Sequence, residues 1–520
     1  MAAAVPDDRR LIVVVGAGLA GAMSALYLGR RQTDGKPAFQ VHVFEKRGDF
    51  RARELATDKT DAYGVATDSV KRSINLALSC RGEAALAEVG LLDAVKPTLV
   101  PMHGRVIHDE SGALSFQPYG KPGEHISSVS RERLTTLLVT ELEKLPNVRL
   151  HFNHKLETAR PDGTVVFVES DDDGRDVKGG ATTRLHAGLV LGADGAFSRV
   201  RAAMLRGSRV NFSRRFIDHS YKEFHIAPGA DAASAIARRD DEAGYRLEQP
   251  HGLHIWPRHE FMLIALPNPD RTFTCTLFAP NATFEELDSA VKADGPGAVV
   301  AFFRANFPDA LALIGEENVA SQYAENPAGS LVTVRVDPWN RGRMLLIGDA
   351  AHAIVPFFGQ GMNAAFEDAL ELNASLDLCN GDLDASIKDF VAKRMPTGNG
   401  IADLSLENYE EMRSHTASPL FVVSKQIEGL LHALAPTWWI PRYSMVSFSR
   451  IPYDEAKARA HRQEAALSVA EAVVGAALAA GALAAGVALA RDAPSGFSGL
   501  KAAASSALAA VGIGAPASSE

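Results

Sequence analysis

The first residues whose spacing implies chemistry are three glycines, Gly16, Gly18 and Gly21, in LIVVVGAGLAG at residues 11–21. They follow five apolar residues, four of them β-branched, and lead into AMSALYLGRR, whose apolar spacing is helical. The pattern reads strand, tight turn, helix. In such a turn Gly16 permits the sharp bend, Gly18 lets the backbone approach a pyrophosphate, and Gly21 lets helix and strand pack closely. The helix start adds unpaired amide N–H groups and a partial positive charge. A second apolar run, Val41 to Phe44, ends at Glu45, roughly twenty residues on, where an acid suits the hydroxyl pair of a ribose. A glycine triplet alone is a weak signal. Strand, turn, helix, strand and terminal acid in that order predict a bound dinucleotide.

Two later strand ends carry acids of the same kind. LVLGADGAFSRVR at 189–201 ends an apolar strand in Gly192, Asp194 and Gly195, and Asp194 has a second reading as the cap of the helix that follows. MLLIGDAAHAIVPFFGQGMNAAFED at 344–368 runs into Gly348 and Asp349, a Pro356 loop and a helix starting near Gly361. Asp349 is placed to accept from a ribitol hydroxyl, and that helix start aims amides at a flavin edge or a phosphate. Acids spread over three strand ends suit one long cofactor threaded across the domain. His352, inside GDAAHA, is a tempting base, but its place within the motif favours a structural role. No HExxH helix, GxSxG elbow or cysteine cluster is present, so no metal and no nucleophile is expected.

These motifs need elements to carry them, and the chain is long enough. At 520 residues the prior is two or three domains. Hydrophobic residues at 46% and charged ones at 22% are globular values, which excludes a disordered or fibrous chain. Lys plus Arg is 54 against Asp plus Glu 63, and the resulting charge of −9 is a poor footprint for nucleic-acid binding. Three scattered cysteines, Cys80, Cys275 and Cys379, support neither a disulfide framework nor a zinc site and point to a reducing compartment.

The N-terminal apolar run is too short for a signal peptide, and no transit peptide is expected. Ala472 to Ala490 is nineteen residues without a charge; as a helix at about 1.5 Å per residue it extends ~28 Å, near a bilayer's hydrocarbon thickness. Ten of the nineteen are alanine, three glycine and six leucine or valine, so insertion is marginal and an Ala-rich soluble helix is the competing reading. Trp438, Trp439 and Arg442 in TWWIPRY suit either a headgroup boundary or ordinary core packing.

GAGLAG, GADGAFSRVR and GDAAHAIVPFFGQGMNAAFED together resemble the single-component flavoprotein aromatic hydroxylases related to para-hydroxybenzoate hydroxylase. RSINLALS at 72–79, VSRERL at 129–134, HIWPRHEFMLIALPNPDRTFTCTLFAP at 254–280 and DLSLENYEEMR at 403–413 are similar to the kynurenine-hydroxylating branch of that family. The resemblance covers residues 11–453. It implies FAD held at its adenosine end by Gly16, Gly18, Ala20, Gly21 and Glu45 with Lys46 and Arg47 alongside, and at its flavin end by Ala77, Arg131, Leu156, Asp349, Met362 and Asn363. Arg131 also fits on chemistry, since a guanidinium forks onto pyrophosphate oxygens or a ribityl hydroxyl. The implied substrate is L-kynurenine, held by Arg105, Tyr119, Asn408 and Tyr443, with NADPH and dioxygen as co-substrates. Taken on residue type alone, Arg105 reads equally as a solvent-facing strand arginine, and the two tyrosines as core aromatics.

The implied reaction reduces FAD with NADPH, forms a C4a-hydroperoxide with dioxygen, and transfers its distal oxygen to the ring carbon ortho to the amino group. The product is 3-hydroxy-L-kynurenine, on the route of tryptophan degradation toward NAD synthesis. No catalytic side chain is expected, because the flavin carries the chemistry. The alternatives are an FAD oxidoreductase on another aromatic or lipid substrate, and a membrane-tethered flavoprotein without turnover.

The expected fold is α/β: a Rossmann-like FAD-binding domain interleaved with a β-sheet substrate domain, then a helical C-terminal region with a membrane helix. FAD-binding parts are expected at 1–100, 184–209 and 337–378, with inserted strands and a helix at 101–183 and the substrate sheet at 210–336. A helical region at 379–463, a membrane helix at 464–492 and a disordered tail at 493–520 complete the layout. The resemblance places a eukaryotic chain on the mitochondrial outer membrane facing the cytosol, and a bacterial one in the cytoplasm.

Overall fold

The structure, a computed structural model, describes residues 8–51, 75–207, 209–238, 240–414 and 434–469, with the short pieces 427–428, 431–432 and 480–481. The β-branched run at the start forms the strand Asp8–Val15, with Ile12, Val13 and Val14 fully buried. It lies at the centre of a parallel sheet, between Gln40–Phe44 and Thr182–Gly192. Val148–His151 pairs beyond Gln40–Phe44, and Met344–Leu346 beyond Thr182–Gly192, both parallel. Burial on both faces explains why these strands read as continuous apolar runs. The long strand Thr182–Gly192 serves two partners, because its first half pairs antiparallel with Thr164–Glu169, which in turn pairs with His154–Ala159.

A second sheet runs in the order Gly329–Asp337, Asn211–Ile226, Phe273–Pro280, Phe261–Pro267, Gly252–Arg258, Gly104–His108, Leu114–Pro118. Its last two strands form a hairpin that enters from the inserted segment, and Gly104–His108 pairs parallel with Gly252–Arg258. The substrate sheet is therefore not confined to 210–336, and Arg105 reaches it through this long-range pairing. The expected inserted block at 101–183 is divided likewise, since Val148–His151 belongs to the cofactor sheet. Nor is 210–336 purely β. Asn281–Asp294, Gly297–Asn306, Pro308–Ile314 and Glu316–Glu325 are helices whose apolar residues share one core with the inner face of the second sheet. A small sheet of Asn75–Leu78, Ile126–Ser130 and Val100–Met102 lies in between.

No helix among the described residues is long and apolar enough to cross a membrane. The expected span at Ala472–Ala490 and the tail at 493–520 lie outside the described residues, save Ala480 and Gly481.

One polar cluster holds the helices behind the cofactor sheet. Glu367 and Asp368, consecutive in the helix Gly361–Leu378, are 3% and 0% exposed. Arg81 donates to both oxygens of Glu367 at 2.7 and 2.9 Å, while Arg394 bridges Glu367 and Asp368, each at 2.8 Å. His352 Nε2 meets Asp368 Oδ2 at 2.5 Å, with the ring stacked on Trp339. This confirms the structural reading of His352. Burial alone would raise Asp368, yet the facing His352 and Arg394 hold its pKa at about 2, below the ordinary 3.8.

A depressed carboxylate stabilises the fold fully above its unfolded value, and that contribution is lost as pH falls through the folded one. Asp368→Asn is accordingly expected to lower stability at neutral pH and to flatten the loss between pH 3.8 and about 2. Denaturant midpoints of parent and variant across that window check it; parallel slopes would contradict it.

Candidate active site

The glycine-rich turn has the geometry its sequence predicts. Gly16 sits at φ +103°, and a Cβ there would lie 2.6 Å from the Ala193 carbonyl oxygen. A Cβ on Gly21 would lie 2.0 Å from the Gly16 carbonyl oxygen. Gly18, the N-cap of the helix Leu19–Arg30, has no atom within 4 Å of where its Cβ would be. Gly16 and Gly21 are thus required by the protein's own packing, whereas Gly18 faces open space beside a helix N-terminus, where a pyrophosphate fits.

Glu45 is buried at the end of the neighbouring strand; one carboxylate oxygen accepts from the Ala17 amide at 3.1 Å and the other from Arg47 Nε at 3.1 Å. The acid thus shapes the turn itself. Lys46 and Arg47 are exposed beside it. Ala20 lies against Gly348, since a Cβ on Gly348 would be 2.8 Å from the Ala20 methyl, so two motifs over three hundred residues apart in sequence share one edge. Asp349 follows, exposed, with no hydrogen-bond or ion-pair partner among the described residues.

The flavin-end candidates divide. Asn363 is fully buried and clamps three segments: it donates to the Ala77 carbonyl at 2.7 Å and the Gly359 carbonyl at 3.0 Å, and accepts from the Ser79 amide at 2.9 Å. Its side chain positions Ala77 and the loop, and it and Met362 bring their amides to the first turn of the helix Gly361–Leu378. Leu156 is packed in the sheet core, with its carbonyl taken by Arg199 at 2.8 Å. Arg131 is exposed at the first turn of Arg131–Glu143; burial raises Glu223, and the Arg131 charge opposes that shift. Asp194 Oδ2 accepts from the Arg199 and Val200 amides at 2.6 and 3.3 Å, beside the N-cap residue Ser198, while its Oδ1 is buried without a partner among the described residues.

Three of the four substrate candidates meet. Tyr119 and Tyr443 stack at 4.7 Å with 8° between planes, and the Arg105 guanidinium lies 5.8 and 5.3 Å from their ring centres. Arg105 Nε and the Tyr119 hydroxyl are buried without a hydrogen-bond partner among the described residues. Burial pushes both tyrosine hydroxyls up, Tyr119 well above the ordinary 10.0, so both stay protonated. Asn408 is placed differently: its amide donates to the Phe357 carbonyl at 2.8 Å and braces the Pro356–Phe358 turn.

A family model described as an FAD binding domain matches residues 63–281 and 303–402. Kynurenine 3-monooxygenase of Sus scrofa is 40% identical over 465 residues, 89% of each chain, and that of Salinispora tropica 42% identical over 467 residues, 89% of this chain and 94% of the other. This chain belongs to the kynurenine 3-monooxygenase family. Among solved structures, 2-methyl-3-hydroxypyridine-5-carboxylic acid oxygenase matches with a TM-score of 0.58 at 20% identity, covering 79% of this chain and 95% of that one. PqsL of P. aeruginosa in complex with 2-aminobenzoylacetate matches at 0.56 and 19%, covering 78% and 96%. At such identities these two establish the flavoprotein hydroxylase fold.

In this family member, aromatic residues that sequence reasoning passed over pack beside the Tyr119 and Tyr443 pair and behind the Pro356–Phe358 turn. Phe358 lies 5.9 Å from Tyr443, Phe357 stacks on Tyr409 at 4.4 Å, and Phe278 faces Phe357 at 5.3 Å. The doublet PFF carried a signal, two aromatics inside a cofactor loop, that only the fold makes specific. Glu367 and Asp368 carried another, adjacent acids in an apolar helix, which a buried cation must match.

The glycine geometry separates two variants. Gly18→Ala is expected to leave the FAD-free chain within about 1 kcal/mol of parent stability while weakening FAD binding at least about tenfold, because its methyl enters space otherwise open to pyrophosphate. Gly21→Ala should lose both. Thermal melts of the FAD-free protein with flavin fluorescence titrations check the pair.

Proposed function

We propose that the chain is an NADPH- and FAD-dependent hydroxylase converting L-kynurenine to 3-hydroxy-L-kynurenine. The observation that carries the substrate assignment is the half-buried Arg105, whose Nε is shut off from solvent and unpartnered, beside the Tyr119 hydroxyl, which likewise has no hydrogen-bond partner among the described residues. An unmatched buried donor costs about 1–3 kcal/mol, which an anionic acceptor recovers. The carboxylate of an amino acid fits that set; a lipid chain has no group to offer it. Arg105 binds the carboxylate as a charge-assisted pair, and the Tyr119 and Tyr443 hydroxyls, kept protonated by burial, donate to it.

Met102, Ile126 and Leu266 pack around Tyr119, with Ala77, Tyr443 and Phe448 against them. This apolar wall excludes water beside the ring to be hydroxylated and joins the substrate cluster to the cofactor cluster, because Asn363 holds the Ala77 carbonyl. FAD, when bound, supplies the redox and oxygen chemistry, with NADPH as reductant. The protein's share is placement: the carboxylate is fixed at one end, and the aromatic ring is directed along the wall.

The expected result for the FAD-loaded protein is NADPH oxidation stimulated by L-kynurenine and a product heavier by one oxygen, read by mass spectrometry. Arg105→Ala should raise the KM for kynurenine by roughly ten- to a hundredfold, the worth of a charged hydrogen bond, with FAD content unchanged. Bound flavin without kynurenine-dependent turnover would refute the assignment and send the search to other aromatic acids.

We infer also that Ala472–Ala490 anchors the chain in a membrane. The support is nineteen uncharged residues of near-spanning length. In a eukaryotic cell the membrane is the mitochondrial outer membrane with the catalytic part facing the cytosol; in a bacterium the catalytic part is cytoplasmic. Deleting 472–520 should release the protein from carbonate-washed membranes, and retention would count against an anchor there.

A further inference from the structure

Hydroxylation needs a second dinucleotide, and the GAGLAG turn is already committed to the first. The reductant must reach the flavin from solvent, so its site has to adjoin the cofactor's open edge and suit an anion with an aromatic base. One surface meets both conditions. Phe197, which follows the Asp194 turn, is 65% exposed, and Phe216 on the strand Asn211–Ile226 is 51% exposed. Phe212, Arg214 and Phe216 alternate along that strand and so share a face. The Arg214 guanidinium lies 4.9 Å from the Phe197 ring centre and 5.9 Å from that of Phe216, and Arg201 lies 4.8 Å from that of Phe212.

The patch is cationic and unneutralised. Arg214 is exposed and has no carboxylate partner among the described residues. Burial lowers Arg201 to about 10; Asp194 opposes that shift, and the nearby Arg214 charge adds to it. Exposed aromatics gathered round an unpaired arginine mark an interaction surface suited to an anion that carries an aromatic ring. The patch also adjoins the third cofactor motif, because Arg201 donates to the Ala350 carbonyl at 2.7 Å and Ala350 follows Asp349, the acid suited to a ribitol hydroxyl.

We propose that the Phe197, Phe212, Arg214 and Phe216 surface is the docking site for the adenosine 2′-phosphate end of NADPH. The proposal rests on the functional reading above for its ligand. The adenine stacks on an exposed phenylalanine ring, as bases do on aromatic platforms. The Arg214 guanidinium, with its face on the rings, keeps its N–H edge for the phosphate. From there the dinucleotide extends past Arg201 and Asp349 toward the helix start at Gly361.

The test uses the full-length, FAD-loaded protein with Arg214→Ala and Phe216→Ala. NADP+ and NAD+ binding are measured by calorimetry, and KM values for NADPH, NADH and kynurenine in turnover. Arg214→Ala is expected to weaken NADP+ and raise the KM for NADPH at least about tenfold, the worth of a lost charged contact. Binding of NAD+, the KM for NADH, the KM for kynurenine and FAD content should stay as in the parent. Phe216→Ala should weaken both nucleotides alike. Unchanged NADP+ binding in both variants would overturn the proposal. So would unchanged NADP+ binding with lost binding to phosphatidylserine vesicles, which would give the patch to a lipid surface. If the parent fails to hydroxylate kynurenine while Arg214→Ala still weakens NADP+, the functional reading falls and the docking site stands.

Discussion

Two adjacent buried carboxylates, Glu367 and Asp368, set the terms for the rest of the cofactor site. Buried acids in one helix must be matched by partners from elsewhere, and here two arginines and a histidine come from three separate segments. Arg81 brings the Cys80–Glu88 helix, Arg394 the Leu383–Ser414 helix, and His352 the short turn after Asp349. Asp368 also accepts from the Gly348 amide at 3.1 Å, which seats the third cofactor motif against Ala20 in the first. The orientation of the Gly361–Leu378 helix, whose N-terminus the sequence assigns to the flavin edge, follows from these contacts. Removing one partner would strand a buried charge. That asymmetry makes the arrangement specific even where its net contribution to stability is modest.

The substrate end obeys a different constraint, set by strand register. Parallel pairing places Arg105 opposite Leu253, and alternation sends Arg105 and His108 to opposite faces of the sheet. His108 meets Asp309 at 2.7 Å and His254 at 2.9 Å, and Asp309 also accepts from Trp256 Nε1 at 2.7 Å. The strand that carries Arg105 is thus pinned from behind by the helical layer. A slip of one residue would bury Arg105 in that layer and turn His108 toward the ligand, so the polar contacts on the far face protect the register on which the near face depends.

What was legible in the sequence had local causes. The Gly16, Gly18, Gly21 and Glu45 constellation is built from consecutive elements, and its strand, turn and helix appear where periodicity puts them. The Gly361 helix start was legible for the same reason. What was not legible depends on distant partners. Nothing local says that the 104–118 hairpin joins the second sheet, that Asn363 would clamp Ala77 and Ser79, or that Asn408 would brace Phe357. Asp194 shows the limit most plainly: a strand-end acid suits a ribose or a helix cap, and only the fold shows one of its oxygens on the Arg199 and Val200 amides and the other buried without a partner among the described residues. The four helices of 281–325 were missed because their burial is against a sheet contributed by flanking sequence.

The two ends of the site are not independent. Tyr443 stacks with Tyr119 on the substrate side and lies 5.9 Å from Phe358 on the cofactor side, while Asn408 fixes the carbonyl of Phe357 in the same turn. That turn leads within three residues to the helix start at Gly361. A carboxylate that engages Arg105 and the two hydroxyls therefore orders a tyrosine whose other neighbour is the flavin loop. The gain on binding is largest where the free state leaves donors unmatched, and that is where Arg105 Nε and the Tyr119 hydroxyl lie. In the proposed function the amino-acid end is thus recognised by residues that pack against the loop leading to the Gly361 helix. A ligand lacking the carboxylate would fill the same apolar wall and leave the Arg105 Nε and the Tyr119 hydroxyl unmatched, so in the proposed function it binds more weakly although it buries the same apolar surface.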